Sequence, residues 1–224
     1  MSLRILHVLD HSLPLHSGYT FRTVSILREQ HALGWKTVHL TTPKMRLTAQ
    51  RLHEVVALTR PDLIHAHSPV LNALPSLWVG RQLRLPVVYE MRASWEDAAV
   101  DHGTTTEGSR RYRLSRALES FALRRADQVT TICEGLRGDI ASRGIPSERI
   151  TVIPNAVNAD TFRFGVAPDP ELRRTLGLDG ATVLGFAGSF YGYEGLDLLI
   201  EAARRMRARH PELRILLVGG GPQE

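Results

Sequence analysis

The 224-residue sequence is poor in several residue types, and each shortage excludes a class of protein. Cys133 is the only cysteine, which excludes an internal disulfide and a cysteine-based zinc cluster and suits a cytoplasmic protein. No apolar run approaches the roughly 18 residues of a membrane-spanning helix, and the start lacks the pattern of a secretory signal. Aromatic residues make up only 6% of the chain, so nucleic acid is not an expected partner.

Three ligand-binding motifs are missing as well. The loop that follows the first apolar run contains a single glycine, Gly18, where a dinucleotide-binding fold has three. The sequence has no phosphate-binding Walker motif and no D-x-D carboxylate pair. We therefore do not expect an NAD-dependent oxidoreductase or a P-loop ATPase.

The charge that is present comes mostly from arginine. Lys36 and Lys44 are the only lysines among 28 basic residues, and the formal net charge is +5. One interpretation is a codon bias of the genome, and the other is recognition of phosphate or carboxylate groups, which suits the planar guanidinium. Arginines are densest in 110–125, where Leu114, Leu118 and Phe121 form an apolar stripe. This segment is either an interfacial helix on an anionic membrane or a helix that covers the core, with solvated basic flanks.

Short apolar runs alternate with segments of helical period along the first 157 residues. Apolar strands that alternate with helices predict a doubly wound, Rossmann-like parallel sheet. The predicted strands cover 4–10, 36–42, 62–67, 86–91, 128–133 and the beginning of 150–157. The predicted helices cover 19–33, 47–58, 71–83, 110–125 and 134–143.

The pattern changes after residue 157. Residues 158–181 are rich in Pro, Asp, Gly and Ala and predict a linker with one short helix at 170–176. Alternation then resumes in 182–224, which predicts the first β-α-β unit of a second, incomplete Rossmann-like domain. Apolar residues of this unit would lack partners, so we expect it to pack on the first domain or on another copy of the chain.

Polar residues cluster where ligands bind in such folds, at the carboxyl ends of predicted strands. Four charged residues, Glu90, Arg92, Glu96 and Asp97, surround Trp95 at the end of one strand, which predicts either a polar site or a loop held by a Glu–Arg ion pair. His65 and His67 would share one face of a strand, and we interpret these histidines as core or cleft residues rather than metal ligands.

Several motifs together resemble the GT-B glycosyltransferases of the group 1, or family 4, type. DLIHAHSP resembles the family's third-strand signature, and ITVIPNAVNADTF resembles the segment between its domains. GFAGSF, EGLDLLIEAARRM and LRILLVGGGP resemble the start of its nucleotide-sugar-binding domain. YEMRASWED and its continuation resemble a narrower branch, which is associated with exosortase and exopolysaccharide clusters.

The resemblance implies an N-terminal acceptor domain and a C-terminal donor domain. It implies transfer of a sugar with retention, without a metal ion or a cofactor, in the cytoplasm or on the inner face of the cytoplasmic membrane. The nucleotide-sugar is a co-substrate, and the acceptor is a glycan or a lipid-linked glycan. The family's paired glutamates would lie beyond Glu224, so we expect the chain to be truncated and inactive alone.

The resemblance also assigns roles to particular residues. The predicted catalytic residues are Arg92 and Glu90. The predicted acceptor-site residues are Ser17, Gly18, Tyr19, Arg22, His67, Trp95, Glu96 and Asn155. The predicted donor-site residues are Gly188, Ser189, Tyr193, Glu194, Gly195, Gly220 and Gly221.

This sequence departs from the family at the donor clamp. Ser189 and Glu194 stand where an arginine and a lysine usually hold the donor diphosphate, and a carboxylate at that place would repel it. Arg92 replaces a histidine of the family. These departures keep an alternative open, a non-catalytic Rossmann-like module for binding or membrane docking.

Overall fold

The computed structural model describes residues 2–12, 14, 17–41 and 45–221 and divides the chain into two compact units. The described residues up to 100, together with 105–156, form the first unit. Residues 101–104 and 157–221 form the second. The predicted domain limits at 157 and 181 stay predictions. Within the described ranges, no helix combines the length and apolar character that crossing a membrane requires.

The first unit is built around a six-stranded sheet. Its strands are β1 (Arg4–Leu9), β2 (Lys36–Thr41), β3 (Leu63–His67), β4 (Val87–Met91), β5 (Gln128–Thr131) and β6 (Ile150–Val152). The helices in this part of the chain are α1 (Gly18–Ala32), α2 (Met45–Thr59), α3 (Val70–Leu83), α4 (Trp95–Asp101), α5 (Arg110–Arg125) and α6 (Glu134–Ser142). A short 3₁₀ turn, Ser147–Arg149, precedes β6.

All neighbouring strands of this sheet are parallel, and their order is β2-β1-β3-β4-β5-β6. Parallel neighbours need crossover connections, and each helix between consecutive strands supplies one. The predicted α/β class and the Rossmann-like parallel sheet are confirmed.

The two faces of the sheet differ in chemistry because side chains alternate along each strand. Leu6, Ile64 and Tyr89 belong to the apolar face, which packs under α2, α3, α5 and α6. His7 and Glu90 point to the opposite face, where α1 supplies Arg22 and Gln30 as hydrogen-bond partners.

One detail of the prediction was wrong. The segment after β4 was predicted as a loop, but α4 begins at Trp95 and has Glu96 and Asp97 in its first turn. Acidic residues there are favourable because they face the positive end of the helix dipole, a signal that the sequence carried. The sixth strand ends at Val152, which agrees with the prediction that 150–157 only begins as a strand. The last residue of the predicted second strand, Thr42, lies outside the described residues.

The second unit contains α7 (Pro170–Thr175), β7 (Thr182–Ser189), α8 (Leu196–Met206) and β8 (Leu213–Gly220). Asp169 begins α7 by accepting hydrogen bonds from the N–H groups of Glu171 and Leu172. β7 and β8 pair in parallel over their full length, with α8 as the crossover. The predicted β-α-β unit is confirmed. None of the residues in α8 is buried.

Candidate functional site

The strand order places a candidate site at the carboxyl edge of the larger sheet, between β1 and β3. The order of the strands reverses there, since β2 lies on one side of β1 and the later strands lie on the other. Ligands of open parallel sheets bind at such a reversal, just beyond the strand ends. A narrow depression opens at this place. It is lined by Leu9, Asp10, His11, Tyr19, Thr23, His67, Ser68 and Arg92.

Glu90, a predicted catalytic residue, lies beneath it with 1% of its surface exposed. Its Oε1 accepts a hydrogen bond from Arg22 Nε at 2.9 Å, and its Oε2 lies 2.8 Å from His67 Nδ1. Burial by itself would raise the pKa of Glu90, but the hydrogen bond with His67 and the nearby guanidinium of Arg92 lower it below its usual range. An ionised carboxylate buried in this way positions its neighbours, and the catalytic role of Glu90 stays a prediction.

Arg22 joins Glu90 to the segment that follows β6. Beyond its bond to Glu90, its Nη2 donates to the carbonyl of Ile153 at 2.8 Å. Its Nη1 donates to the carbonyl of Pro154 and to Oδ1 of Asn155, both at 3.1 Å. The side-chain oxygen of Asn155, a predicted acceptor-site residue, therefore already accepts a hydrogen bond from Arg22. Arg22 fixes the path by which the chain leaves β6.

Arg92 lines the depression, but most of its N–H groups are already used. Nη1 donates to the carbonyl of Tyr19 and Nη2 donates to Thr23 Oγ1, each at 3.2 Å. Nη2 also donates to Glu90 Oε2 at 3.3 Å, and the guanidinium lies over the Tyr19 ring, 5.4 Å from its centre. The backbone N–H of Arg92 donates to Ser68 Oγ. Arg92 thus contributes positive charge and holds α1 against the strand ends.

Three histidines extend this network under α1. His7 and His65 are paired in register on β1 and β3, and His67 lies two residues beyond His65. His7 Nδ1 lies 2.9 Å from His67 Nε2, and His7 Nε2 lies 2.9 Å from Gln30 Oε1. Burial is the largest cause that lowers the pKa of His7 and His65 to about 3 and that of His67 to about 4. All three are neutral at pH 7.

The three histidines also have the ligand types of a metal site. One nitrogen from each lies within 4.8 Å of the others, and neutral imidazole is a common ligand. The surrounding charge opposes a cation, however. Two guanidiniums, those of Arg22 and Arg92, and a single carboxylate, Glu90, adjoin the cluster. The cluster therefore fits a hydrogen-bonded chain of neutral rings better, and the absence of a metal stays a prediction.

A second set of hydrogen-bonded polar side chains, which the sequence did not predict as a group, lies at the mouth of the depression. His11 Nδ1 lies 3.0 Å from Asp10 Oδ2, and His11 Nε2 lies 2.6 Å from Ser17 Oγ. Ser17 also begins α1, where its Oγ accepts from the N–H of Thr20 at 3.1 Å. Among the described residues, apart from its chain neighbours and the backbone of α1, nothing lies within 4 Å of a Cβ built on Gly18. The juxtaposed Asp-His pair after a strand is the signal that could have found it.

The acidic residue after Trp95 does not belong to this site. Glu96 is buried, and its Oε1 lies 2.6 Å from Arg143 Nη2 and 3.5 Å from Arg116 Nη1. The predicted role of Glu96 at the acceptor site is therefore corrected to an internal ion pair between α4, α5 and α6. Trp95 is partly exposed, and its ring lies 6.4 Å from that of Tyr19.

The predicted donor-site residues lie together at the carboxyl edge of the two-stranded sheet. Ser189 and Gly220 are paired at the strand ends, and Tyr193 and Glu194 lie in a 3₁₀ turn. Gly195 precedes α8 with φ +67°, a conformation that favours glycine. The remaining two are Gly188 in β7 and Gly221 just after β8.

Residues 22–156 match the family model described as a Glycosyl transferase 4-like domain. Among curated relatives, the 2-deoxystreptamine glucosyltransferase of Streptomyces kanamyceticus is 31% identical over 78% of this chain and 47% of its own length. A D-inositol 3-phosphate glycosyltransferase of Thermobispora bispora is 33% identical over 73% of this chain and 38% of its own length. The chain thus spans less than half the length of these relatives.

Solved structures share the fold at low sequence identity. Anabaena Alr3699/HepE in complex with UDP-glucose has a TM-score of 0.63 and 18% identity, over 97% of this chain and 61% of its own. The S. aureus MnaA–UDP co-structure has a TM-score of 0.60 and 12% identity, over 97% of this chain and 62% of its own. Because the family model covers more than half of the sequence, the chain belongs to the glycosyl transferase 4-like family.

Proposed function

We propose that this chain contributes to the transfer of a sugar from a nucleotide-sugar to a glycan or lipid-linked acceptor, with retention and without a metal ion. Relatives that are named as sugar transferases support the reaction class. Structures of similar fold that are described with UDP or UDP-glucose support the donor class. In this proposal the first unit binds the acceptor and the second unit begins the donor domain.

The observation that carries the proposal is the net positive charge beneath the depression between β1 and β3. Two guanidiniums, Arg22 and Arg92, surround one carboxylate, Glu90, so a net positive charge is fixed at the place where ligands of such sheets bind. The leaving group of a nucleotide-sugar is a diphosphate, and fixed positive charge stabilises the negative charge that develops on it. Glu90 acts as a positioning residue, since it is buried and is held by Arg22 and His67.

The polar groups at the mouth are suited to an acceptor hydroxyl. His11 now holds the hydroxyl of Ser17 and is itself held by Asp10. An acceptor hydroxyl that displaced the Ser17 hydroxyl would lie within hydrogen-bond distance of His11 Nε2. In a retaining transfer the leaving diphosphate helps to remove the proton, so His11 would orient the hydroxyl and need not act as the base.

A donor screen that detects released nucleoside diphosphate tests the proposal. The relatives are more than twice as long as their matched segments, so the screen should use the longest polypeptide that contains this sequence. Arg92→Ala should lower turnover by about a hundredfold, as loss of one charge-stabilising donor does elsewhere. Arg174→Ala, on an exposed helix of the second unit, is the control and should leave turnover unchanged. Normal turnover in a folded Arg92→Ala protein would contradict the role of Arg92.

One observation favours a non-catalytic binding module instead. The loop 188–195 carries the carboxylate of Glu194 and no basic side chain, so it lacks a clamp of its own for a diphosphate. Calorimetric titration with UDP and GDP separates the two functions. Saturable binding that Arg92→Ala weakens supports the transferase, and binding of neither nucleotide supports the module.

The resemblance of residues 89–111 to the exosortase-associated branch supports a more specific biological role for the reaction. We propose that the reaction takes place in the cytoplasm and serves synthesis of an exopolysaccharide or another surface glycan. Deletion of the gene should then remove one sugar from the surface glycan. An unchanged glycan composition would argue against this setting while leaving the transferase chemistry intact.

A further inference from the structure

α5 presents its apolar stripe to solvent. The residues that α5 buries are Glu119, Ser120, Ala122 and Leu123. Leu114, Leu118 and Phe121 lie on the outer side and are 62%, 37% and 44% exposed. The helix does cover the sheet, but through its other face. The interpretation of α5 as a covering helix is therefore confirmed, but its apolar stripe faces outward, and no part of the chain that the structure describes buries these three residues.

α3 continues this apolar surface. Leu71 and Trp78 lie seven residues apart, on one side of α3, and more than half of each residue is exposed. A cavity of about 710 Å³ lies between α3, α5 and the amino ends of β4 and β5. Its apolar lining includes Leu74, Trp78 and Phe121. This cavity is at the opposite edge of the sheet from the candidate site.

Three arginines border the cavity, Arg81, Arg84 and Arg125. No carboxylate in the described ranges forms an ion pair with any of them, although Arg125 lies over the Phe121 ring, 4.8 Å from its centre. Asp127 is the one acidic residue of the lining, and its Oδ2 is occupied by the backbone N–H of Val87 at 2.7 Å. The surface therefore combines aromatic and aliphatic side chains with a net positive charge, three guanidiniums against one carboxylate.

We propose that this surface docks on a bilayer that contains anionic phospholipid. The docking face is defined by Leu71, Leu74, Trp78, Arg81, Arg84, Leu114, Leu118, Phe121 and Arg125. Tryptophan and phenylalanine sit favourably at the boundary between headgroups and acyl chains, and arginines beside them contact lipid phosphates. The inference does not depend on the proposed sugar transfer.

The charge of the docking face argues against a second copy of this chain as its occupant. A symmetric dimer through this face would bring two sets of Arg81, Arg84 and Arg125 together, against only two Asp127 carboxylates. Like charges at an interface oppose association. An anionic lipid surface supplies the missing negative charge, and its acyl region accepts the apolar stripe.

Sedimentation with vesicles tests the proposal. The 224-residue chain should bind vesicles of equal parts phosphatidylglycerol and phosphatidylcholine, and binding should weaken as salt increases. Each arginine near an anionic surface contributes about fivefold, equivalent to about 1 kcal/mol, so Arg81→Gln, Arg84→Gln and Arg125→Gln together should weaken binding about a hundredfold. The control removes three exposed arginines of the second unit, by Arg174→Gln, Arg207→Gln and Arg209→Gln. This control has the same net charge as the test variant and should bind the vesicles far more tightly than the test variant does.

Two further measurements distinguish membrane docking from binding of another occupant to this face. Fluorescence of the chain should shift to shorter wavelength on these vesicles, and Trp78→Phe should lose that shift. Leu118→Gln should weaken vesicle binding, whereas Leu58→Gln, at an exposed position of α2, should not. Absence of vesicle binding, equal binding to pure phosphatidylcholine, or equal losses in test and control variants would overturn the proposal. A dimer in light scattering that Leu118→Gln dissociates, without vesicle binding, would assign the face to self-association.

Discussion

The two units repeat the same local pattern of strand, helix and parallel strand, yet only the first has a core. In the first unit, Leu6, Ile64 and Tyr89 have no exposed surface, because helices cover a sheet of six strands. In the second unit, Leu178 and Phe190 are the only buried hydrophobic residues among those the structure describes. Its sheet has two strands, and a single helix crosses between them.

The difference shows that burial of apolar side chains depends on how many strands and helices surround them and not on the local sequence pattern. α8 has its apolar residues at helical spacing, as α2 does, but Leu198 and Ile200 are 72% and 52% exposed. A β-α-β unit encloses apolar side chains on both faces only when further strands and helices surround it. We therefore expect stability to be concentrated in the first unit.

The largest loss of stability should come from the buried ion pairs of Glu90 with Arg22 and Arg92 in the first unit. Glu90→Gln removes the carboxylate that pairs with Arg22 and Arg92, which leaves two guanidiniums partly buried without a counter-charge. Breaking a buried ion pair from one side destabilises proteins by about 3–5 kcal/mol. Urea unfolding should show this loss. Glu54→Gln breaks the exposed pair with Arg51 and should change stability by less than about 1 kcal/mol. Equal effects of the two substitutions would refute the buried role of Glu90.

A matched pair of apolar truncations compares the two units directly. Ile64→Ala in β3 should cost about 2–5 kcal/mol because it leaves a cavity in a closed core. Ile215→Ala in β8 removes a side chain that is only partly buried, so the first unit should unfold at an unchanged urea concentration. Hydrogen exchange resolved by unit separates the two outcomes. A similar loss in protection of β3 and β4 from both substitutions would mean that the units unfold together.

Periodicity and breaker residues were enough to predict most of the fold. The helix over 110–125 has the predicted bounds, and Gly34, with φ +78°, follows α1 where the sequence places a stop. α4 was missed because a seven-residue helix is too short to show a period. The outward direction of the α5 stripe was missed for another reason. Its inner face consists of residues such as Ser120 and Ala122, which look unremarkable in sequence but allow close packing.

The candidate site was predicted in its position but not in its connections. The rule that ligands bind at strand ends led to Arg92 and to the loop before α1. It could not show that Glu90 and Glu96, both acidic and close in sequence, are each enclosed by arginines from distant segments. Arg143 lies 47 residues from Glu96, so no local pattern connects them. Whether a polar residue faces a ligand or another residue is decided by tertiary contacts.

A pH titration tests another buried acid of the first unit. Burial raises the pKa of Glu119 to about 7, and Tyr89 donates a hydrogen bond to its Oε1 at 2.5 Å. The unfolded chain ionises this carboxyl near pH 4.5, so the stability it contributes is present at lower pH and is lost as pH rises through about 7. Glu119→Gln should therefore become more stable relative to wild type between pH 5 and 8, by about 3 kcal/mol. A pH-independent difference would contradict the raised pKa.

The smallest effect should be confined to the second unit, at the glycine before α8. Gly195 has φ +67°, and an L-residue in this conformation costs about 1–2 kcal/mol. Gly195→Ala should accelerate amide exchange in 196–206 and leave exchange in β3 and β4 unchanged, because the strain acts on a helix with no buried residue. Gly18→Ala, which begins α1 and has open space around its Cβ, is the control and should slow or preserve exchange in α1. Faster exchange throughout the first unit in Gly195→Ala would show that the two units share one folding transition, and the contrast between them would then concern packing alone and not stability.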